Sequence, residues 1–140
     1  MSTGYMLDTS ICIEILRGRS ATLNDRLKGE QAPLYVSTVV VMELADGPNK
    51  LADPRRHDLL EAFLARLEIL PFDEDAARHT AEIRAVLERQ GRPFGPYDYQ
   101  IAGHARSQGL TVVTRNIGEF ERVDGLRVEH WSDRGKGVHE

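Results

Sequence analysis

One cysteine, Cys12, stands in a chain of 140 residues, so no intrachain disulfide can form and thiolate-rich zinc sites are excluded. A reducing cytoplasm is the compartment this cysteine usage suits. No apolar run approaches the ~20 residues of a membrane span. The first residues also lack the charged, apolar and small-residue regions of a signal peptide. The five histidines are scattered and form no HExxH pair, which argues against a zinc hydrolase. No GxSxG elbow, P-loop or GxGxxG occurs. Lysine is scarce: of 18 basic residues 15 are arginine, and no lysine lies between Lys50 and Lys136.

What is present describes an ordinary globule, 41% hydrophobic and 29% charged, of a length that suits one domain with a sizeable core. A net charge of −4 argues against tight, indiscriminate nucleic-acid binding but says little about local patches. Arginine is the side chain best suited to bidentate phosphate contact, though its excess is equally what genome composition produces.

Along the chain, Tyr5-Met6-Leu7 is a short apolar run that stops at Asp8. A helix follows, which Thr9 or Ser10 can cap and Gly18 ends, with Cys12, Ile15 and Leu16 on one face. A second helix, about Ser20 to Lys28, buries Leu23 and Leu27 and ends at Gly29. Ala32 to Ser37 read as a strand that runs into a helix closed by Gly47. Pro54 opens a helix bearing Leu59, Leu60, Phe63, Leu64 and Leu67 at helical spacing. Glu68 to Leu70 form a strand, and an amphipathic helix then runs to Gly91. Gly95-Pro96 opens a helix burying Ile101, Ala102 and Ala105 and stopping at Gly109. Leu110 to Thr114 read as a strand covered on both faces, followed by a turn with a short helix and a last strand from Leu126 to Trp131. Residues 132–140 form a polar tail. The alternation predicts a three-layer α/β/α domain over residues 1–131, with a mainly parallel sheet of about five strands.

In such folds ligands collect at the carboxyl ends of the strands. Asp8 directly follows the first strand, and Asp98 opens the helix before the fourth. Glu119 lies just past the fourth strand, and Glu43 sits a turn and a half into the helix after the second. Asp8 alone reads equally well as a helix cap, and Asp98 as a charge suited to a helix N-terminus. Glu43, among Val39, Val40, Val41, Met42 and Leu44, will be partly buried and needs a partner. Four acids at one sheet edge raise one another's pKa, and clustered carboxylate oxygens suit Mg²⁺ or Mn²⁺. His104 beside this edge reads as structural. Arg17, Arg92, Arg106 and Arg115 lie near these motifs in sequence.

The blocks LDTSICIEIL, VSTVVVMELADG, GPYDYQIAGHARSQGL and TRNIGEFERVDGLRVEHW, in this order from Tyr5 to Trp131, resemble a PIN-domain ribonuclease. More narrowly they resemble the enteric-type VapC toxins of VapBC toxin–antitoxin pairs. The resemblance implies that Asp8, Glu43, Asp98 and Glu119 form an acidic catalytic and metal-binding quartet for Mg²⁺, with Mn²⁺ able to substitute. Asp8 and Asp98 would be the most direct ligands, supported by Thr9, Thr114 and Asn116. Ser10 stands where many relatives have Asn, and Asn116 where many have Asp, so the fourth acid falls to Glu119. The implied activity is metal-assisted hydrolysis of RNA, with initiator tRNA cut in its anticodon loop. The implied partners are a VapB-type antitoxin, whose arginine would enter the acidic pocket, and a second copy of the chain, with DNA reached only through the antitoxin. Ile11, Ile13, Leu16 and Leu23 offer the apolar surface such contacts need. The alternatives are a Mg²⁺-dependent phosphatase or phosphoacceptor domain and an inactive partner-binding module. The first lacks the DxD motif or late lysine it would need, and retention of all four acids speaks against the second.

Overall fold

The computed structural model describes residues 4–131. The residues expected to form the polar tail lie outside it. Five strands make one parallel sheet: β1 (Tyr5–Leu7), β2 (Leu34–Ser37), β3 (Glu68–Leu70), β4 (Thr111–Val113) and β5 (Val128–Glu129). Their order is β3-β2-β1-β4-β5. The helices are α1 (Thr9–Arg17), α2 (Ala21–Gly29), α3 (Thr38–Leu51), α4 (Pro54–Leu64), α5 (Glu74–Arg89), α6 (Pro96–Gln108) and α7 (Ile117–Phe120). The expected three-layer α/β/α architecture is the one found.

The side on which successive strands are added reverses between β1 and β4, which pair in parallel from Tyr5 with Thr111 to Leu7 with Val113. Both strands are apolar on both faces because helices cover both, and Met6, Leu7, Val112 and Val113 are fully buried. Each such side chain contributes roughly 1.5–3 kcal/mol of hydrophobic stabilisation. Two rigid, adjacent strands therefore end side by side at Asp8 and Thr114. That is the crevice position expected of a switch point in a parallel sheet.

The backbones of α5 and α6 approach closely at Gly103. A Cβ there would lie 2.6 Å from Thr80 N and 2.7 Å from Thr80 Cα, so only glycine fits. This contact sets α6 against α5, and α6 begins at the carboxyl edge of the sheet and ends at the opposite edge, before β4.

Several local expectations change. Helix α1 is capped by Asp8, whose side chain accepts from Ile11 N, and not by Thr9 or Ser10. Helix α3 does not stop at Gly47 but continues through Pro48 to Leu51. Proline removes only one N–H from the ladder, a Lys50–Asp46 ion pair of 3.1 Å spans the following turn, and Ala52 ends the helix in the left-handed conformation. The last strand is only Val128–Glu129. Trp131 instead packs edge-on against Tyr5, with the Arg26 guanidinium 4.4 Å above its ring. Ile11 and Leu23, expected as interface surface, are fully buried in the core, whereas Ile13 is 38% exposed and Leu16 is half-buried.

Candidate active site

Asp8 leaves the carboxyl end of β1 almost completely buried, with its backbone N–H bonded to Val113 O. Its carboxylate is held from three sides. Ile11 N donates to Oδ1 at 3.0 Å, Ser10 Oγ to Oδ1 at 2.7 Å, and Thr114 Oγ1 to Oδ2 at 2.5 Å. Burial raises the Asp8 pKa above the usual carboxylate value, while the bonds from Thr114, Ile11 and Ser10 pull it back down. Asp8 is thus both a helix cap and a member of the acidic site.

Thr9, the first residue of α1, donates its hydroxyl to Glu43 Oε1 at 2.5 Å. This bond joins α1 to α3 and supplies the partner that a carboxylate among apolar neighbours needs. Asp98 lies in the first turn of α6, but it caps nothing: the N-cap is Gly95, which has no side-chain bond to offer. Its pKa is raised to about 6, first by burial and then by the charges of Asp8, Glu119 and Glu43. No hydrogen bond offsets these causes. Glu119, on α7, belongs to the group through this shared repulsion.

The charges of Asp8, Glu119 and Glu43 therefore all act on Asp98 at the carboxyl edge of the sheet. Among the described residues, however, no three of them close into a ready-made metal cage. Mg²⁺ is commonly held by one or two carboxylates and keeps several waters, so a spread set of hard oxygen donors fits it. A half-buried Asp98, pushed up by burial and then by three neighbouring carboxylates, is the chemistry that a divalent cation corrects.

The expected supporting residues divide. Thr114 is buried and bound to Asp8. Asn116 is exposed; its side chain makes no cap bond, but its backbone N–H donates to Thr114 Oγ1 at 2.9 Å. His104 is fully buried on Ser37 Oγ at 2.8 Å, and burial lowers its pKa. Of the four arginines near the motifs, Arg106 is at the far end of α6, occupied by Glu82, His79 Nδ1 and Asp124 O. Arg17 edges a groove of about 610 Å³ between α1, α3 and α4, which Glu43 borders, and Arg92 is exposed. Arg115 alone reaches the acidic site, through a backbone bond to Ser10 Oγ at 3.1 Å.

Sequence reasoning treated Ser10 as a candidate helix cap and a departure from relatives, and passed over Glu14. Both had a readable signal. Ser10 is two residues beyond a strand-end carboxylate, within reach of a local hydroxyl bond, and Glu14 is one helical turn further on the same face.

Three comparisons agree with this geometry. The PIN domain family matches residues 5–126. The tRNA(fMet)-specific endonuclease VapC of Shigella flexneri is 49% identical over 129 residues, covering 91% of this chain and 98% of that one. A crystal structure of DNA-bound VapBC from Salmonella typhimurium superposes with a TM-score of 0.87 at 44% identity, covering 93% of this chain and 99% of that one. VapBC2 from Rickettsia felis, bound to a DNA fragment from its promoter, gives the same TM-score at 32% identity and covers 93% and 100%.

Proposed function

Because this chain belongs to the PIN-domain family, within its VapC branch of endoribonucleases, we propose that its acidic pocket cuts tRNA with the help of Mg²⁺ held by Asp8 and Asp98. PIN-domain nucleases are generally divalent-metal dependent. The observation that carries the reading here is Asp98, raised to about 6 by burial and, beyond that, by three other carboxylates at the switch point. A bound Mg²⁺ supplies Lewis-acid chemistry, activating water and neutralising charge that develops on the phosphate.

The chain's own residues do the rest. Ser10 and Thr114 hold Asp8 in one orientation, and its Oδ2, which accepts from Thr114, would hold the ion without reorganisation. Thr9 holds Glu43 on the other side. Glu43 and Glu119 complete the quartet in this reading, and each would share the ion or accept a proton from water. Residues 1–131 form the nuclease unit in this reading.

The substrate is initiator tRNA, as the name of the Shigella relative supports, and the cut falls in the anticodon loop in this reading. The chain acts in the cytoplasm as the toxin of a toxin–antitoxin pair. It forms a homodimer whose VapB-type antitoxin contacts DNA, as the DNA-bound VapBC relatives support. The groove lined by Ile13, Leu16, Leu44, Leu59 and Leu60 leads to Glu43 and suits an antitoxin segment.

The test is incubation of purified protein with total tRNA in Mg²⁺ and in EDTA, with the new ends sequenced. One cut in the initiator tRNA anticodon loop, abolished by EDTA, is expected. Undiminished cutting in excess chelator contradicts the metal reading, and cutting of every tRNA alike contradicts the substrate.

A further inference from the structure

We propose that Arg115 and Glu14 form a clasp that positions the Asp8 carboxylate, and that Arg115 serves the site in this way and not by touching RNA. The inference rests on the metal-dependent nuclease reading and concerns residues that reading does not use.

A hydroxyl has one proton to give. Ser10 Oγ accepts from the backbone N–H of Arg115 at 3.1 Å, so its proton is left for Asp8 Oδ1. Thr114 Oγ1 accepts from the N–H of Asn116 at 2.9 Å, so its proton is left for Asp8 Oδ2. Two consecutive amides of one turn therefore aim two hydroxyls at the two oxygens of one carboxylate. Displacement of the turn misaligns both relays together.

The turn is anchored on either side of Arg115. Before it, Thr114 N bonds Glu129 O; after it, Asn116 O accepts from Glu119 N and Phe120 N at the start of α7. Arg115 itself has no strand partner, and its side chain crosses to α1, where its guanidinium lies 2.8 Å from Glu14 Oε1. Glu14 is four residues after Ser10, on the same face of α1. Arg115 is thus fastened to α1 twice, by its backbone to Ser10 and by its side chain to Glu14. The pair is largely shielded, with side-chain exposures of 30% and 18%, and Arg115 Nε is buried with no partner. A guanidinium already bound to Glu14 and turned partly inward is poorly placed to meet a phosphate.

The experiment compares Glu14→Gln, Arg115→Gln, the double variant and the reversed pair Glu14→Arg/Arg115→Glu with wild type. Three quantities are measured: the Mg²⁺ concentration giving half the thermal stabilisation, kcat and KM on tRNA, and melting in EDTA. Each single change is expected to weaken the Mg²⁺ midpoint and lower kcat by about 10- to 100-fold, with KM little altered. The double variant should be no worse than either single, because both remove the same contact. The reversed pair should recover most of the loss.

A Glu14→Gln protein with wild-type kcat and Mg²⁺ midpoint, beside an Arg115→Gln protein with raised KM, overturns the clasp and makes Arg115 an RNA contact. Losses that add, or changes confined to melting in EDTA, also overturn it. If the single variants do not fold, the reversed pair decides: a folded protein with the wild-type midpoint supports the clasp, and a folded protein with a weakened midpoint overturns it. Wild-type cleavage that needs no Mg²⁺ refutes the parent reading instead.

Discussion

The Thr114 hydroxyl donates to Asp8 Oδ2 at 2.5 Å, joining the ends of two adjacent strands across 106 residues of sequence. Asp8 is buried by the elements that position it, so its charge depends on such donors. Thr114→Val keeps the shape of the side chain and removes the donor. Asp8 would then ionise at higher pH, and cleavage near neutrality is expected to fall by about 10- to 100-fold. The check is a pH–rate profile, in which the acidic limb should move to higher pH. An unchanged limb would make Thr114 only a packing residue.

In metal-free protein, stability should fall as pH rises from about 4 to about 6. The Asp98 carboxyl is at about 6 in the folded chain against 3.8 in the unfolded one. Between these values the folded state binds more protons, so raising the pH removes stability, and above the folded value the loss is complete. Asp8, also raised, acts in the same direction. With solvent screening the Asp98 contribution is about 1–2 kcal/mol. Denaturant melts in EDTA across this range provide the measurement. Asp98→Asn should flatten the profile, and an equally steep profile in the variant would assign the dependence elsewhere.

Gly103→Ala should destabilise the whole domain by about 1–3 kcal/mol, because the new methyl meets the Thr80 backbone, which cannot rotate away. Thermal unfolding tests it. A melting temperature equal to wild type would mean that α5 and α6 can separate without cost.

Much of this was legible in the sequence because the signals are local. Strand-end acids, Gly18 and Gly109 as helix stops, and continuous apolar strands each report on their own neighbourhood. The stop at Gly47-Pro48 misled for the same reason: a local breaker was outweighed by a helix able to lose one hydrogen bond. Ile11 and Leu23 also misled, since periodicity marks a face as apolar but not whether the fold covers it. The carboxyl-edge placement of Asp8, Asp98, Glu43 and Glu119 followed from topology. The hydroxyl relays did not, because Ser10 and Thr114 meet on Asp8 only once β1 and β4 are paired. The face of α1 that carries Glu14 could be read, but its pairing could not, because Arg115 lies across the same switch point.

The account stands or falls on Asp98 as a crowded metal ligand. Melting of wild type and Asp98→Asn in EDTA and in Mg²⁺, beside a tRNA cleavage assay, tests it most directly. Removing one of four mutually repelling charges should leave the variant as stable as wild type in EDTA at neutral pH, or more so. Mg²⁺ should stabilise the variant less than wild type, because preferential binding to the folded state is weakened. Cleavage should drop by about 100-fold or more. A variant that melts lower in EDTA, gains as much from Mg²⁺ as wild type and still cuts tRNA at the wild-type rate would contradict the account.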